Sequence, residues 1–270
     1  MCIFAKNNRA TAILPTTDGE TPFVAQHSIV RTIWQDRNAI LLIFAAAAGE
    51  FAYNRSADWL FFTGKLPADP IGRLFSTVSY AQSIVFASQE AAIASIQKIN
   101  KIHKAVEDAR GYAIPQWAYH SVLFMLLDYT IKAGNLLLGT LSKEDEEEIF
   151  RVFTKMGIHM SINQLPVTLA SWHTQRQEHL RAYTVATEHT TALYKSYRRH
   201  LGTVRFHMLC HIQASMCPAA VLARSGLRKH PVAGILLAAY LHMRHTRIGR
   251  MAVVQLMPPL HRASFAAISG

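Results

Sequence analysis

Residues 88–111 read Ser88-QEAAIASIQKINKIHKAVEDAR-Gly111, and this stretch decides the fold. Ser88 is a hydroxyl N-cap that can accept from the open N–H groups of a first helical turn. Gly111 suits the left-handed position just past a helix end. Between them Ile93, Ile96, Ile99, Ile102 and Val106 fall on one helical face, and Lys98, Lys101 and Asp108 on another. His103 interrupts the apolar arc one turn after Ile99. A polar group on a core-facing stripe needs a partner. Two readings stand: a neutral imidazole that binds a haem iron through one nitrogen, or a core histidine satisfied by a backbone carbonyl.

Helix signals continue on both sides. Asp69-Pro70 places an N-cap before a proline at the first helical position and predicts a helix to about Ala87. Pro115 opens a helix from Trp117 through Leu138. Leu141-Ser142-Lys-Glu-Asp145 is a capping box for a helix to about Met156, with Gly157 as its stop. Pro166 precedes a helix from about Thr168 to Thr184, and Glu188 to Cys217 reads as one more. The acidic run Glu144 to Glu148 sits in a first turn, where the helix dipole favours negative charge, and has a structural role. No alternating strand pattern appears. The expected fold class is all-α: eight or so helices around one core, forming a single domain over 27–270 after a poorly ordered arm at 1–26.

Other residues carry candidate chemistry. On the helix after Pro70, Ile71, Leu74, Val78, Ala81 and Val85 form the apolar arc. Thr77 lies at its edge, with Arg73 one turn before it on the same flank. A guanidinium beside a hydroxyl suits bound oxygen or a carboxylate; alternatively the Arg pairs with a nearby acid and the Thr bonds back to its helix. His120, near Trp117 and Phe124 with Asp128 two turns on, is either a pocket residue or a packed histidine. His207 and His211 have metal-ligand spacing, but no carboxylate surrounds them, and they are discounted. Trp59-Leu-Phe-Phe62 packs the core or lines an apolar channel. No phosphate loop, nucleophile elbow or HExxH is present.

Composition sets the outer bounds. With 270 residues, half of them apolar, the chain can bury one large core. Cys2, Cys210 and Cys217 make neither a disulfide framework nor a zinc site, which points to a reducing, cytoplasmic compartment. No run reaches the roughly 18 apolar residues of a bilayer span; the longest are Ala39 to Ala48 and Pro231 to Leu241. Net charge is +11, and all of it lies after Glu188, where eleven Lys and Arg occur without one Asp or Glu. Apolar runs between these basic residues favour peripheral contact with a membrane surface over nucleic acid, which is not an expected partner; a merely solvated basic face is the alternative.

The stretch from Ser56 to Thr77, with Arg73-Leu-Phe-Ser-Thr77 at its end, resembles the Arg-x-x-x-Thr region of the latex-clearing-protein (rubber oxygenase) and mpaB-type oxygenases. Ile102-His103-Lys104-Ala-Val106 looks like their following Met/Ile-His motif. Gln116-Trp117-Ala-Tyr-His120 is similar to their Trp-x-His stretch, and Asn163-Gln-Leu-Pro166-Val-Thr168 to their Leu-Pro-x-Thr stretch. The resemblance runs from about Ser28 to His207 and rests on the order and spacing of these motifs. It implies a globin-like helical domain around a buried haem b, cleaving carbon–carbon double bonds of an isoprenoid or lipid-like substrate with dioxygen. By the same resemblance His103 is the iron ligand, Arg73 and Thr77 are the catalytic, substrate-facing pair, and His120 joins them at the cofactor. Three positions depart from the pattern. Ser76 stands where rubber oxygenases can carry a Lys, and Asn100 and Glu107 stand where they carry Arg. Asp58 is the nearest counterpart of a proposed catalytic base and is given no role.

The leading expectation is therefore a haem-dependent oxygenase, with the basic segment after about 202 held at a membrane. Two others compete with it: a haem- or ligand-binding helical protein without catalysis, and a cofactor-free helical protein of the membrane surface.

Overall fold

The computed structural model describes residues 21–64, 68–256, 258–259 and 262. Among these, twelve α-helices and no strands occur, and the all-α expectation holds. The N-terminal arm lies outside the described residues as far as 20. Residues 21–26 are described, and they dock: Phe23 and Val24 are buried, and Phe23 N–H donates to Ala87 O at 3.1 Å.

The helices are α1 Ile29–Gln35, α2 Arg37–Ala52, α3 Ala57–Phe62, α4 Pro70–Val85, α5 Gln89–Arg110 and α6 Gln116–Leu138. They continue with α7 Lys143–His159, α8 Leu169–Tyr183, α9 Glu188–Met216, α10 Ala219–Ser225, α11 Pro231–Met243 and α12 Arg247–Leu256. The caps fall where side-chain chemistry puts them. Asp69 accepts from Gly72 N–H at the start of α4, and Ser88 from Ala91 N–H at the start of α5. Gly111, at φ 83°, closes α5, and Ser142 with Asp145 forms the capping box of α7. Six of these helices match those expected above, and α1, α2, α3, α10, α11 and α12 add to them.

Two expectations shift. Gly157 does not stop α7, which runs on to His159. The residue is a packing glycine: a Cβ there would lie 2.8 Å from Leu123 Cδ2 and 3.0 Å from Leu165 Cδ1. The long helix after Glu188 is one element by its hydrogen bonds, but Gly202 breaks it at φ 71°, ψ 175°. Only glycine enters that region without strain, so α9 changes direction there.

α2 is the central strut. It packs on α6 and α9, and Ile40, Ile43 and Ala46 are almost fully enclosed. This explains its nearly uninterrupted apolar sequence. α6 is long and apolar enough to cross a bilayer, contrary to the reading of the bare sequence. It is nonetheless a core helix, with Tyr129, Thr130 and Ala133 at 0% exposure.

Candidate functional site

An apolar cavity of about 300 Å³ opens where α2, α3, α4, α6, α9 and α11 meet, at the lower end of the size range for ligand pockets. α2 contributes Leu41, Ala45 and Ala48, α6 contributes Met125 and Leu126, and α11 contributes Leu237, Tyr240 and Leu241. α4 contributes Ile71, Arg73, Leu74 and Thr77. The flank predicted from spacing therefore faces a cavity.

Most polar groups on this wall are already committed. Tyr240 donates its hydroxyl to Asn38 Oδ1, and Tyr197 donates to Ala48 O at 3.3 Å. Thr77 Oγ1 donates to Arg73 O at 3.0 Å, the back-bonded alternative raised above. A hydroxyl that has given its proton to the backbone can only accept, so Thr77 can orient a donor but not supply a proton. Ser76 Oγ is likewise tied to Arg73 O at 2.8 Å, and Ser76 is off the cavity wall. Arg73 differs. Among the described residues no carboxylate pairs with its guanidinium, and burial pushes its pKa down, with only Tyr80 opposing.

His103 sits beside this wall, not on it. Its ring meets Tyr119 edge-on at 5.2 Å between centroids, and its Nδ1 is enclosed without a hydrogen-bond partner. The backbone-carbonyl alternative is thus not what Nδ1 does. Burial holds the imidazole below its usual pKa range, with the Arg73 charge adding to the effect and Glu107 opposing it. Arg73 is therefore common to both: it lines the cavity and acts electrostatically on His103. The two departures around His103 have local uses. Asn100 Nδ2 donates to His159 O at 3.3 Å, tying α5 to α7. Glu107 accepts Ile114 N–H at 2.9 Å and the Tyr119 hydroxyl at 3.4 Å, fixing the loop before α6.

His120 is not brought to the cavity. Its Nδ1 lies 3.0 Å from Gln116 O and its Nε2 is enclosed without a partner. Burial lowers its pKa, opposed by the backbone of Gln116, Asn163 and Gln164. Its ring neighbours are Phe124 at 5.5 Å and His179 at 5.4 Å. His179, which sequence reasoning missed, has an unpartnered buried Nδ1 and a pKa pushed to about 4 by burial, aided by His120 and Arg176. Asp58 accepts from Arg110 and from His189 Nε2 at 3.3 Å, and the Arg110 guanidinium stacks 4.3 Å over Trp59. This is a structural clasp between α3 and α5. Of the aromatic run only Leu60 reaches the cavity. His207 and His211 stay outside any ligand set: His211 Nδ1 accepts His230 N–H at 3.0 Å. Cys210 and Cys217 are free thiols, and burial pushes them to about 11 and about 12; Cys2 lies outside the described residues.

Sequence reasoning also missed a buried ion network that joins α2, α6 and α8. Arg176 on α8 grips Glu50 on α2 with both terminal nitrogens, at 2.6 and 2.5 Å, and reaches Asp128 on α6 at 3.0 Å. Tyr129 donates to Glu50 Oε2 at 2.8 Å. Glu50 is 1% and Arg176 4% exposed. These carboxylates hold Arg176 firmly protonated, and burial beside Glu50 pushes the Tyr129 phenol well up. A signal existed: Trp172, Arg176 and Leu180 share one face of α8, so a charge stood on a buried stripe.

The fit of an iron group can be judged from the donors. Among the described residues no three His, Cys, Asp or Glu converge to hold a bare ion. A porphyrin brings four nitrogens of its own and asks the protein for one neutral imidazole. His103, kept neutral by burial and with an unpartnered nitrogen, is chemically such a group.

The helices enclose an apolar cavity whose wall carries two arginines, Arg73 on α4 and Arg205 on α9. The family model described as "ER-bound oxygenase mpaB/B'/Rubber oxygenase, catalytic domain" matches residues 31–266, and the chain belongs to this family of oxygenase catalytic domains. No curated protein and no solved structure matches it.

Proposed function

We propose that this protein is a haem b-dependent oxygenase that cleaves a carbon–carbon double bond of an isoprenoid or lipid-like substrate. The observation that carries the reading is Arg73, which among the described residues has no carboxylate partner, on a largely apolar cavity wall and within electrostatic reach of His103, whose buried Nδ1 has no hydrogen-bond partner. Membership of an oxygenase family supplies the reaction class. The balance is simple: one dioxygen and one alkene give two carbonyl groups, and both oxygen atoms enter the products.

His103 would hold the iron, and a bound haem supplies the oxygen chemistry. The chain's own residues do the rest. Leu41, Leu74, Met125 and Ile212 take the hydrocarbon chain and exclude water. The Arg73 guanidinium donates to an oxygen or carboxylate at the ligand's polar end. Thr77 Oγ1, its proton spent on Arg73 O, accepts from a donor beside it. His120 does not face the cavity, and its part would be to support the helix α6 wall through Phe124.

Oxygen consumption tests the reading. Haem-loaded protein given a polyprenyl alkene should consume dioxygen and release matching carbonyl products, detected by mass spectrometry. A second reading, haem or ligand binding without turnover, is favoured by Ser76, whose hydroxyl is occupied by its own helix where rubber oxygenases can place a Lys. Saturable substrate binding with no oxygen uptake would select it over catalysis.

A further inference from the structure

α2 and α11 are both predominantly apolar on every side, and of the two the fold encloses only α2. α2 is clasped between α6 and α9. α11 has no Asp, Glu, Lys or Arg in its 13 residues, yet Ala233 is its one buried side chain. Its inner face, Leu237, Tyr240 and Leu241, walls the cavity. Its outer face carries Val232, Ile235, Leu236 and Met243 at helical spacing, 59%, 70%, 49% and 41% exposed. The neighbouring α12 adds Ile248 at 70% and Met251 at 69% exposure. Isolated exposed apolar residues are ordinary, but four on one face of α11 and two more on the helix packed against it ask for a cover.

Charge selects the cover. Exposed Arg228 and Lys229 precede α11, and exposed Arg247 follows it. From residue 189 to 270 there are eleven Lys and Arg and no acid. A helix of this length spans about 20 Å at roughly 1.5 Å per residue, too short for a hydrocarbon core of about 30 Å. An apolar face between cationic flanks, too short to span, is the composition of a helix lying in the plane of an anionic bilayer surface.

We propose that the outer face of α11 and the start of α12 dock this protein on an anionic lipid bilayer, with α11 lying between the lipid and the cavity. Hydrocarbon ligands would then pass from the bilayer to the cavity around one helix and never cross water. The docking stands without the oxygenase reading, whereas the delivery of substrate rests on it.

The test is flotation of the full chain with vesicles of phosphatidylcholine alone and of phosphatidylcholine with phosphatidylserine. The protein should float with the anionic vesicles and be partly released by salt. Ile235→Asp/Leu236→Asp, on the exposed side, should lower the bound fraction at least about tenfold. Arg228→Glu/Lys229→Glu should remove the preference for phosphatidylserine. Unchanged binding by the aspartate variant overturns the proposal, as does failure of the wild type to bind either vesicle. So does a wild-type dimer that the aspartate variant splits while neither protein binds lipid, since a second copy would then be the cover. Haem absorbance recorded on the same samples separates this outcome from failure of the oxygenase reading, because no docking residue touches His103.

Discussion

Replacing Arg176 by Leu should be among the most damaging single changes in this protein. The guanidinium is 4% exposed and gives two hydrogen bonds to Glu50 and one to Asp128. Without it, Glu50 is a carboxylate at 1% exposure with only the Tyr129 hydroxyl donating to it. Breaking a buried pair from one side costs about 3–5 kcal/mol, because the remaining charge is uncompensated. At about 2–4 °C per kcal/mol this is a fall of roughly 6–20 °C in Tm. Glu50→Leu should cost less, since Arg176 keeps Asp128 at 3.0 Å. The double variant Glu50→Leu/Arg176→Leu should be more stable than the sum of the singles implies by at least about 2 kcal/mol. Urea unfolding of the four proteins gives the cycle. Additive losses, or an Arg176→Leu cost below about 1 kcal/mol, would refute the claim that this pair is a coupled, desolvated unit.

Gly157→Ala should destabilise by about 1–3 kcal/mol in the same assay, since its Cβ meets Leu123 and Leu165 side chains at 2.8 and 3.0 Å. Stability should fall with acid: His179 is held near 4 in the fold against about 6.5 in the unfolded chain, so the unfolded state binds more protons between these values. The His179 contribution is complete above about pH 6.5 and is lost as pH drops toward 4, and a Tm–pH curve for His179→Gln should be flatter in that window. Arg73→Leu should weaken binding of a fatty acid by about 1.5–3 kcal/mol and leave the corresponding alkane or alcohol nearly unchanged, measured by fluorescent-probe displacement; equal losses for both would remove Arg73 from the polar end of the ligand.

Local chemistry carried much of this fold into the sequence. Ser88 and Gly111 bracket α5, and Ser142 with Asp145 starts α7, because caps satisfy backbone groups within a few residues of themselves. Arg73 and Thr77 were legible for the same reason: a four-residue spacing fixes a shared flank before any packing is known. Gly157 misled because glycine's usual helical meaning is termination, and the reason it is tolerated here, a close approach by Leu123 and Leu165, is tertiary. Glu50 and Arg176 lie 126 residues apart, and nothing local to either names the other. The cavity is written into six helices at once, so its existence, and the finding that His103 and His120 are off its wall, came only with the packing.

The central claim is that His103 supplies the one protein ligand to a haem iron. Absorbance spectra of haemin-loaded wild type, His103→Ala and His120→Ala proteins test it most directly. The account predicts a Soret band typical of imidazole ligation in the wild type and in His120→Ala, and its loss or marked shift in His103→Ala while the variant keeps its helical circular dichroism. A folded His103→Ala protein with an unaltered Soret band would contradict it.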